Sequence, residues 1–140
     1  MSKPHPDKND GISEALCKTN RQRVGAVGEQ AAVECLRKAG YRIVERNHWS
    51  PIGELDIIAR EGKTLVFVEV RTRKGAGCGA AAESITCRKQ AKLRQLAESY
   101  VQAQGNLDLS YRIDVVVVQL RADGQVEQIE LIRNAVEGVD

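Results

Sequence analysis

The 140-residue sequence has few of the residues on which several common functional sites depend. It contains two histidines and four cysteines, and no two cysteines form a Cys-x-x-Cys pair. These numbers and spacings indicate neither a zinc site nor a disulfide framework. We therefore expect all four cysteines to be reduced thiols, namely Cys17, Cys35, Cys78 and Cys87.

Long apolar segments are also missing from the sequence. No run approaches the ~18–20 residues that cross a bilayer, and the polar N-terminus lacks the apolar segment of a signal peptide. We therefore expect a cytoplasmic protein without a membrane partner. The sequence also contains no Gly-rich phosphate loop and no Ser-His-Asp arrangement, so two frequent nucleotide-binding and hydrolase patterns do not apply.

The composition that remains is typical of one globular domain. Hydrophobic residues make up 42% and charged residues 29% of a chain whose length suits a single core. Residues 1–20 are polar, contain two prolines and show no sustained periodicity. We expect a flexible N-terminal tail at 1–20, followed by a single domain at 21–140.

Hydrophobic periodicity predicts an α/β fold with the order αβββαβ and one further short strand. The predicted helices cover 24–39 and 87–104, the second capped by Thr86. The predicted strands cover 41–46, 54–60, 64–72, 111–120 and 126–131, with a turn at 47–53 and a mobile loop at 74–82. The unbroken valine run at 115–118 is typical of a central strand. We therefore expect a mixed sheet flanked by helices, with a right-handed crossover through the second helix.

Basic residues are concentrated between Arg71 and Arg94. This segment holds seven basic residues and one acidic residue, Glu83, which gives it a local charge of +6 in a chain of net charge +2. Such a segment can neutralise the backbone phosphates of a nucleic acid. On charge alone, however, a solvated helix surface is the more common outcome.

Two acids interrupt apolar strands that form a predicted hairpin. Glu69 follows Phe67 on one face of its strand, and Asp56 lies between Leu55 and Ile57. A loop with an even number of residues places Asp56 and Glu69 on the same face. The two acids are directly opposite if the loop has four residues, 61–64, and diagonal if it has two.

Two carboxylates this close repel each other and are costly to bury without compensation. Compensation can come from Arg71, two residues after Glu69, or from a divalent cation held by oxygen ligands. Glu29 is a candidate third acid, because it lies among small residues that let a helix approach a sheet closely. Geometry alone leaves an ion pair and a Mg²⁺ site both open.

Four segments carry a family resemblance: GEQAAVECLRKAGYRIVERN, GELDIIAREGKTLVFVEVRTR, SITCRKQAKLRQLAESYV and YRIDVVVV. Together they resemble the YraN-like family of uncharacterised bacterial proteins, in the restriction-endonuclease-like PD-(D/E)XK superfamily related to Holliday-junction resolvases. The resemblance extends from Arg23 to Leu120. It implies a restriction-endonuclease-like core and a Mg²⁺ or Mn²⁺ site whose ligands are Asp56, Glu69, Glu29 and the carbonyl oxygen of Val70.

The sequence departs from the superfamily pattern at two positions. Arg71 stands where the superfamily has lysine, and no proline immediately precedes Asp56. Arginine stays protonated at physiological pH, so Arg71 is excluded as a general base but can still hold a phosphate oxygen. We expect the catalytic site to contain Asp56, Glu69 and Arg71.

The resulting hypothesis is a metal-dependent nuclease-like protein that acts on DNA, including branched DNA. The expected contacts to the nucleic-acid backbone are Arg73, Lys74, Arg88, Lys89 and Lys92. One alternative is a non-catalytic DNA-binding or scaffold protein with the same fold, and another is a structural partner protein. Resolvases that cut two strands are symmetric dimers, so we also expect a homodimer.

Overall fold

The structure, a computed structural model, describes residues 20–75, 85–105 and 108–137. Its elements are α1 (Asn20–Lys38), β1 (Arg42–Ser50), β2 (Gly53–Glu61), β3 (Thr64–Lys74), α2 (Cys87–Gln104), β4 (Tyr111–Leu120) and β5 (Val126–Ile132). The predicted α/β class and element order are confirmed. Residues 1–19 of the predicted tail and residues 76–82 of the predicted loop lie outside the described ranges. No helix in the described ranges is long and apolar enough to span a membrane.

The five strands form one mixed sheet in the order β1-β2-β3-β4-β5. Neighbouring strands are antiparallel except β3 and β4, which are parallel and are connected through α2. The valine-rich β4 lies inside the sheet and is buried along most of its length, as its unbroken apolar run predicted.

Each helix covers one face of the sheet. The core under α1 includes Val33, Leu36, Ile57, Val66, Val68, Val116 and Val118. The core under α2 includes Leu93, Leu96, Ile58, Leu65, Phe67 and Ile113. The residues of β3 therefore alternate between the two cores, as the period of a strand requires. This three-layer arrangement leaves Glu69 of β3 on the side of α2.

The ends of α2 agree with the sequence prediction. The side chain of Thr86 accepts a hydrogen bond from the Lys89 amide at 3.1 Å, and Gly105 ends the helix with a left-handed φ of 77°. The cap fixes the first turn of α2, and with it the position of Lys89.

The predicted end of the first strand and the predicted turn at 47–53 are wrong. β1 continues through Asn47 to Ser50, and the turn is confined to residues 51 and 52. Asn47 has a φ of 53°, a left-handed conformation that asparagine tolerates better than most residues. The strand can therefore absorb an irregularity at Asn47 without ending there.

Helix α1 lies very close to β3 at Gly28. A Cβ atom built on Gly28 would be 1.9 Å from the Thr72 Oγ1 and 2.9 Å from the Thr72 Cβ. A Cβ atom on Gly25 would meet nothing within 4 Å. The expected role of small residues in bringing the helix to the sheet is thus confirmed for Gly28.

A buried polar network lies at the other end of the hairpin formed by β2 and β3. The fully buried Asp114 accepts hydrogen bonds from Tyr41 Oη at 2.7 Å and Arg112 Nε at 2.9 Å. Arg112 and Arg133 both donate to the carboxylate of Glu61. Because the acids of this network are paired with cations, we assign it a structural role.

Candidate metal and phosphate site

The sequence left two arrangements open for the acids of the β2–β3 hairpin, directly opposite or diagonal. Glu61 pairs with Thr64 across a two-residue turn, and the pairing continues to Ile57 and Val68. Continued by one step, this register would place Asp56 directly opposite Glu69. The turn therefore has two residues instead of the four that this register was expected to need. The regular ladder itself ends before the two acids are reached.

Strand β2 changes face at Asp56. Leu55 belongs to the core under α2, whereas Ile57 belongs to the core under α1, although residues two apart on a regular strand share a face. Alternation had predicted that the two acids are neighbours on one regular face, and this prediction is wrong. Instead, the Asp56 Oδ2 accepts a hydrogen bond from the Val70 amide at 2.9 Å, which orients the carboxylate between the two strands.

Strand β1 changes face at the position that faces this break. Arg46 reaches Gln30 of α1 with a hydrogen bond of 3.5 Å. The ring of His48 packs edge-on against Tyr100 of α2, with 5.1 Å between centroids. Asn47, between Arg46 and His48, has the left-handed φ described above. β1 and β2 thus change face together while they stay paired, and the ladder between β2 and β3 ends at the predicted site.

A cavity of about 220 Å³ lies at this site, beneath α1. It is lined by Gly25, Glu29, Asp56, Val70 and Thr72. The structure therefore brings the predicted third acid, Glu29, next to Asp56, together with the residue whose carbonyl oxygen was expected to be a ligand.

The Glu29 carboxylate is poorly compensated in this cavity. Its side chain is 18% exposed, and its Oε2 is buried without a hydrogen-bond partner among the described residues. Burial raises the pKa of Glu29, and the charge of Asp56 raises it further. Two interactions lower the pKa of Glu29 without cancelling the effect of burial. They are the charge of Arg46, whose guanidinium lies 3.9 Å from the Glu29 Oε1, and a hydrogen bond with the Asn47 side chain.

Asp56 and Glu69 form an electrostatically coupled pair. Burial raises the pKa of both carboxyl groups, and the charge of Asp56 raises the pKa of Glu69 further. A hydrogen bond between the two carboxyl groups and the bond from the Val70 amide lower the pKa of Asp56 without cancelling the effect of burial. The pair therefore favours extra protons or a nearby cation.

Lys89 supplies a cation to this pair. Its Nζ lies 3.3 Å from the Oε2 of Glu69, whose side chain is 9% exposed, and its charge lowers the pKa of both acids. The sequence predicted Lys89 as a DNA contact, and it left the compensation of Glu69 open between Arg71 and a divalent cation. Arg71 is half-buried on β3, and its charge also lowers the pKa of Glu69. The contribution of Lys89 depends on where α2 packs, which no strand pattern reveals.

The other predicted basic residues lie at the end of β3 and in the first turns of α2. Arg73 is half-buried on β3, and its Nε is buried without a hydrogen-bond partner in the described part of the chain. Lys74 and Arg88 are exposed. Lys92 is also exposed, and its Cε lies 3.3 Å from the position that a Cβ on Gly53 would occupy. The first turns of α2 therefore extend the basic surface toward the turn between β1 and β2.

The donor set suits a hard divalent cation that also binds water and substrate. Among the described residues, no group of three or more Asp, Glu, His or Cys side chains could hold a metal ion. Mg²⁺, however, is usually held by one or two carboxylates together with water and phosphate oxygens. Asp56 and Glu69 meet that smaller requirement, and the unpaired oxygen of Glu29 adds an acceptor in the adjoining cavity.

Comparison with known proteins gives a family but no activity. The sequence model of the "Uncharacterised protein family UPF0102" matches residues 28–118. A UPF0102 protein of Caldicellulosiruptor saccharolyticus is 47% identical over 116 residues, covering 83% of this chain and 98% of the relative. UPF0102 proteins of Moorella thermoacetica and Pelotomaculum thermopropionicum are each 44% identical over 115 residues, covering 82% of this chain and 96% of each relative. These matches confirm the resemblance to the YraN-like family.

Proposed function

The chain belongs to the uncharacterised protein family UPF0102, and we propose that it is a divalent-metal-dependent nuclease-like protein acting on phosphodiesters of DNA, including branched DNA. Two buried polar atoms carry the proposal. The Glu29 Oε2 and the Arg73 Nε lack hydrogen-bond partners among the described residues, and both belong to the predicted site. Unpaired buried groups are unfavourable unless a ligand or ion satisfies them. A bound cation would satisfy the Glu29 oxygen, and a bound phosphate would satisfy the Arg73 nitrogen.

The proposed core is restriction-endonuclease-like. It is supported by the order of α1, three antiparallel strands, α2 and a parallel fourth strand, which is the αβββαβ order that the sequence predicted. It is also supported by the position of the acids, where the ladder between β2 and β3 ends.

Asp56 and Glu69 are the proposed metal ligands, with the Val70 carbonyl oxygen and Glu29 as further oxygen donors. A bound Mg²⁺ or Mn²⁺ would lower the pKa of water and offset charge on the phosphate. The Val70 amide orients the Asp56 carboxylate before any cation arrives. That preorganisation reduces the rearrangement needed for binding.

Lys89 and Arg71 provide the positive charge that the chemistry needs. Arg71 holds a phosphate oxygen with a guanidinium that stays protonated. The ammonium of Lys89 lies 3.3 Å from the Oε2 of Glu69, and with a cation held at that carboxylate it would be free to contact the substrate phosphate. Arg73, Lys74, Arg88 and Lys92 are the proposed contacts to the DNA backbone. A homodimer would provide the two sites that cutting of two strands requires.

A non-catalytic DNA-binding protein with the same fold is the second candidate. Two observations favour it: Arg71 stands where a lysine is expected, and the ammonium of Lys89 lies 3.3 Å from the Oε2 of Glu69, where it would compete with a cation. Such a protein would keep the basic surface and bind DNA in a salt-dependent manner, but would not cut it.

Single-turnover cleavage of duplex, single-stranded and four-way-junction DNA, with Mg²⁺ or Mn²⁺, tests the proposal. We expect metal-dependent cleavage that is weak on plain duplex and absent in Asp56→Asn. Arg71→Lys should raise cleavage, since a compact ammonium approaches both the water and the phosphate more closely. Arg71→Ala is the control and should leave cleavage low. Salt-dependent binding without cleavage by any variant would support the second candidate.

A further inference from the structure

A second cavity lies on the α2 side of the sheet, next to the turn between β2 and β3. Its volume is about 280 Å³, which is larger than that of the cavity beside Glu29. Its lining combines aliphatic, aromatic and polar side chains: Val44, Arg60, Leu65, Tyr100, Gln104 and Leu109. Apolar walls with a few converging polar groups are typical of sites for small molecules. The charges at this cavity therefore indicate which class of molecule would fit it.

Two arginines stand side by side at the cavity. Arg60 is half-buried in the lining, and it pairs directly with Arg42 of β1 across the antiparallel ladder. Residues directly opposite each other in such a ladder share one face of the sheet, where like charges repel. Neither guanidinium has a hydrogen bond or an ion pair with any residue that the structure describes. The pair therefore lacks an anion that would offset its repulsion.

The acid on this side of β1 does not supply that anion. Burial raises the pKa of Tyr100, the charge of Glu45 raises it further, and the charge of Arg60 lowers it. Both charges are thus felt at the tyrosine that lines the cavity. The Glu45 Oε2, however, lies 2.7 Å from the Nδ1 of His48, and Glu45 forms no ion pair with an arginine among the described residues. The positive charge of Arg60 and Arg42 stays available to a bound molecule.

Tyr100 gives the cavity a fixed aromatic wall. Its ring packs edge-on against Phe67, with 5.5 Å between centroids, and against His48, with 5.1 Å. Leu65 and Leu109 add aliphatic surface to the same lining. Walls that are held in place before binding reduce the entropy that is lost when a ligand is ordered.

We propose that this cavity binds a small organic anion, a carboxylate or phosphate attached to a flat apolar body. The anionic oxygens contact Arg60, Arg42 adds positive charge beside them, and the body lies against Tyr100. A guanidinium suits both anions, because its planar donors match carboxylate and phosphate oxygens. The inference does not depend on the proposed function. The cavity shares no lining residue with the one beside Glu29, and Arg60 lies four residues after Asp56, roughly 13 Å along β2.

Calorimetric titration of the metal-free full chain with four probes tests the inference. Benzoate and phenyl phosphate carry both the anion and the flat body, benzamide lacks the charge, and inorganic phosphate lacks the body. We expect one saturable site for at least one of the first two probes, and the tighter of them identifies the anion as carboxylate or phosphate. Benzamide and inorganic phosphate should each bind at least about 10-fold more weakly.

Variants locate the site. Arg60→Gln keeps a polar side chain but loses the charge, so it should bind the preferred probe roughly 10- to 150-fold more weakly. Arg60→Lys restores the charge and should recover part of that loss. Arg37→Gln, at an exposed arginine of α1 on the opposite side of the sheet, is the matched control and should bind as the wild type does. The melting temperature of each free variant separates lost binding from lost folding.

Three outcomes would overturn the inference. No saturable binding of either organic anion would refute the site, and benzamide binding as tightly as benzoate and phenyl phosphate would refute recognition of an anion. Equal binding by the wild type and a folded Arg60→Gln variant would place the bound probe elsewhere on the protein. Each of these results would leave the proposed function intact.

Discussion

The close approach of α1 to β3 predicts opposite effects for two glycine substitutions in the same helix. Alanine at Gly25 would meet nothing within 4 Å, and replacing a glycine inside a helix by alanine stabilises it by about 1 kcal/mol. Alanine at Gly28 brings the same helix propensity, but its Cβ would lie 1.9 Å from the Thr72 Oγ1. The difference between the two variants therefore isolates the packing effect.

Rotation of the Thr72 side chain does not relieve the clash. The Thr72 Cβ itself would be 2.9 Å from the new methyl group, so the helix or the strand must move. Overpacking of this kind costs about 1–3 kcal/mol. We expect Gly28→Ala to be less stable than Gly25→Ala by that amount, or by roughly 3–9 °C in melting temperature at about 3 °C per kcal/mol for a domain of this size.

Thermal and urea unfolding of both variants would measure this difference. Thr72→Ala removes the two nearest atoms, so the double variant with Gly28→Ala should regain part of the loss, with a coupling energy of about 0.5–3 kcal/mol. Equal stability of the two glycine variants, with no coupling to Thr72→Ala, would refute the packing that places Glu29 beside Asp56.

Three further predictions concern charge. Burial raises the folded-state pKa of Glu69 above its unfolded value, so the penalty for ionising it is absent below the unfolded pKa and complete above the folded one. The melting temperature of Glu69→Gln should therefore increase relative to that of the wild type as the pH rises from about 4 to 8. A difference in melting temperature that does not change with pH would contradict this. Arg133 and Arg112 lower the pKa of Glu61, so its stabilisation exists above the unfolded pKa and is lost as the pH falls through the lowered value. Glu61→Gln should melt earlier than the wild type at neutral pH and equally in acid, whereas a deficit that persists in acid would argue against the ion pairs. Alanine at both Arg88 and Lys92 should flatten the salt dependence of DNA binding by about one unit of slope for each phosphate that the double variant no longer binds. Arg94→Ala is the control, because the guanidinium of Arg94 donates to the Glu137 carbonyl oxygen. An unchanged slope in the double variant would remove α2 from the interface.

Much of the fold could be predicted because its signals are local. The alternation of β3, the valine run of β4 and the Thr86 cap of α2 each depend on residues a few positions apart, and the structure confirms them. The hairpin of β2 and β3 was also predicted, although its turn has two residues where four were expected for this register. Propensity and periodicity act over the same short range, so elements and pairings governed by them can be derived from sequence.

The details of the site could not be predicted because they depend on how separate elements meet. Asn47 was predicted to start a turn, because asparagine tolerates the left-handed backbone conformation that turns require. The same tolerance allows an irregularity within a strand, which is where the structure places Asn47. The change of face at Asp56 accompanies a change of face in the paired strand β1, which the periodicity of β2 alone does not reveal. Lys89 looked like a surface residue, and only the packing of α2 on the sheet brings its ammonium to Glu69.

The central claim is that the acids at the end of the β2–β3 ladder hold a divalent cation, and calorimetric titration with Mn²⁺ and Mg²⁺ tests it most directly. We predict that the wild type binds the cation and gains melting temperature, because the cation binds only the folded state. Asp56→Asn keeps an oxygen that can accept the Val70 hydrogen bond but loses the charge, so it should lose binding. Glu34→Gln, at an exposed acid of α1, is the control and should bind as the wild type does. Equal binding by the wild type and Asp56→Asn, or no binding by either, would contradict the claim.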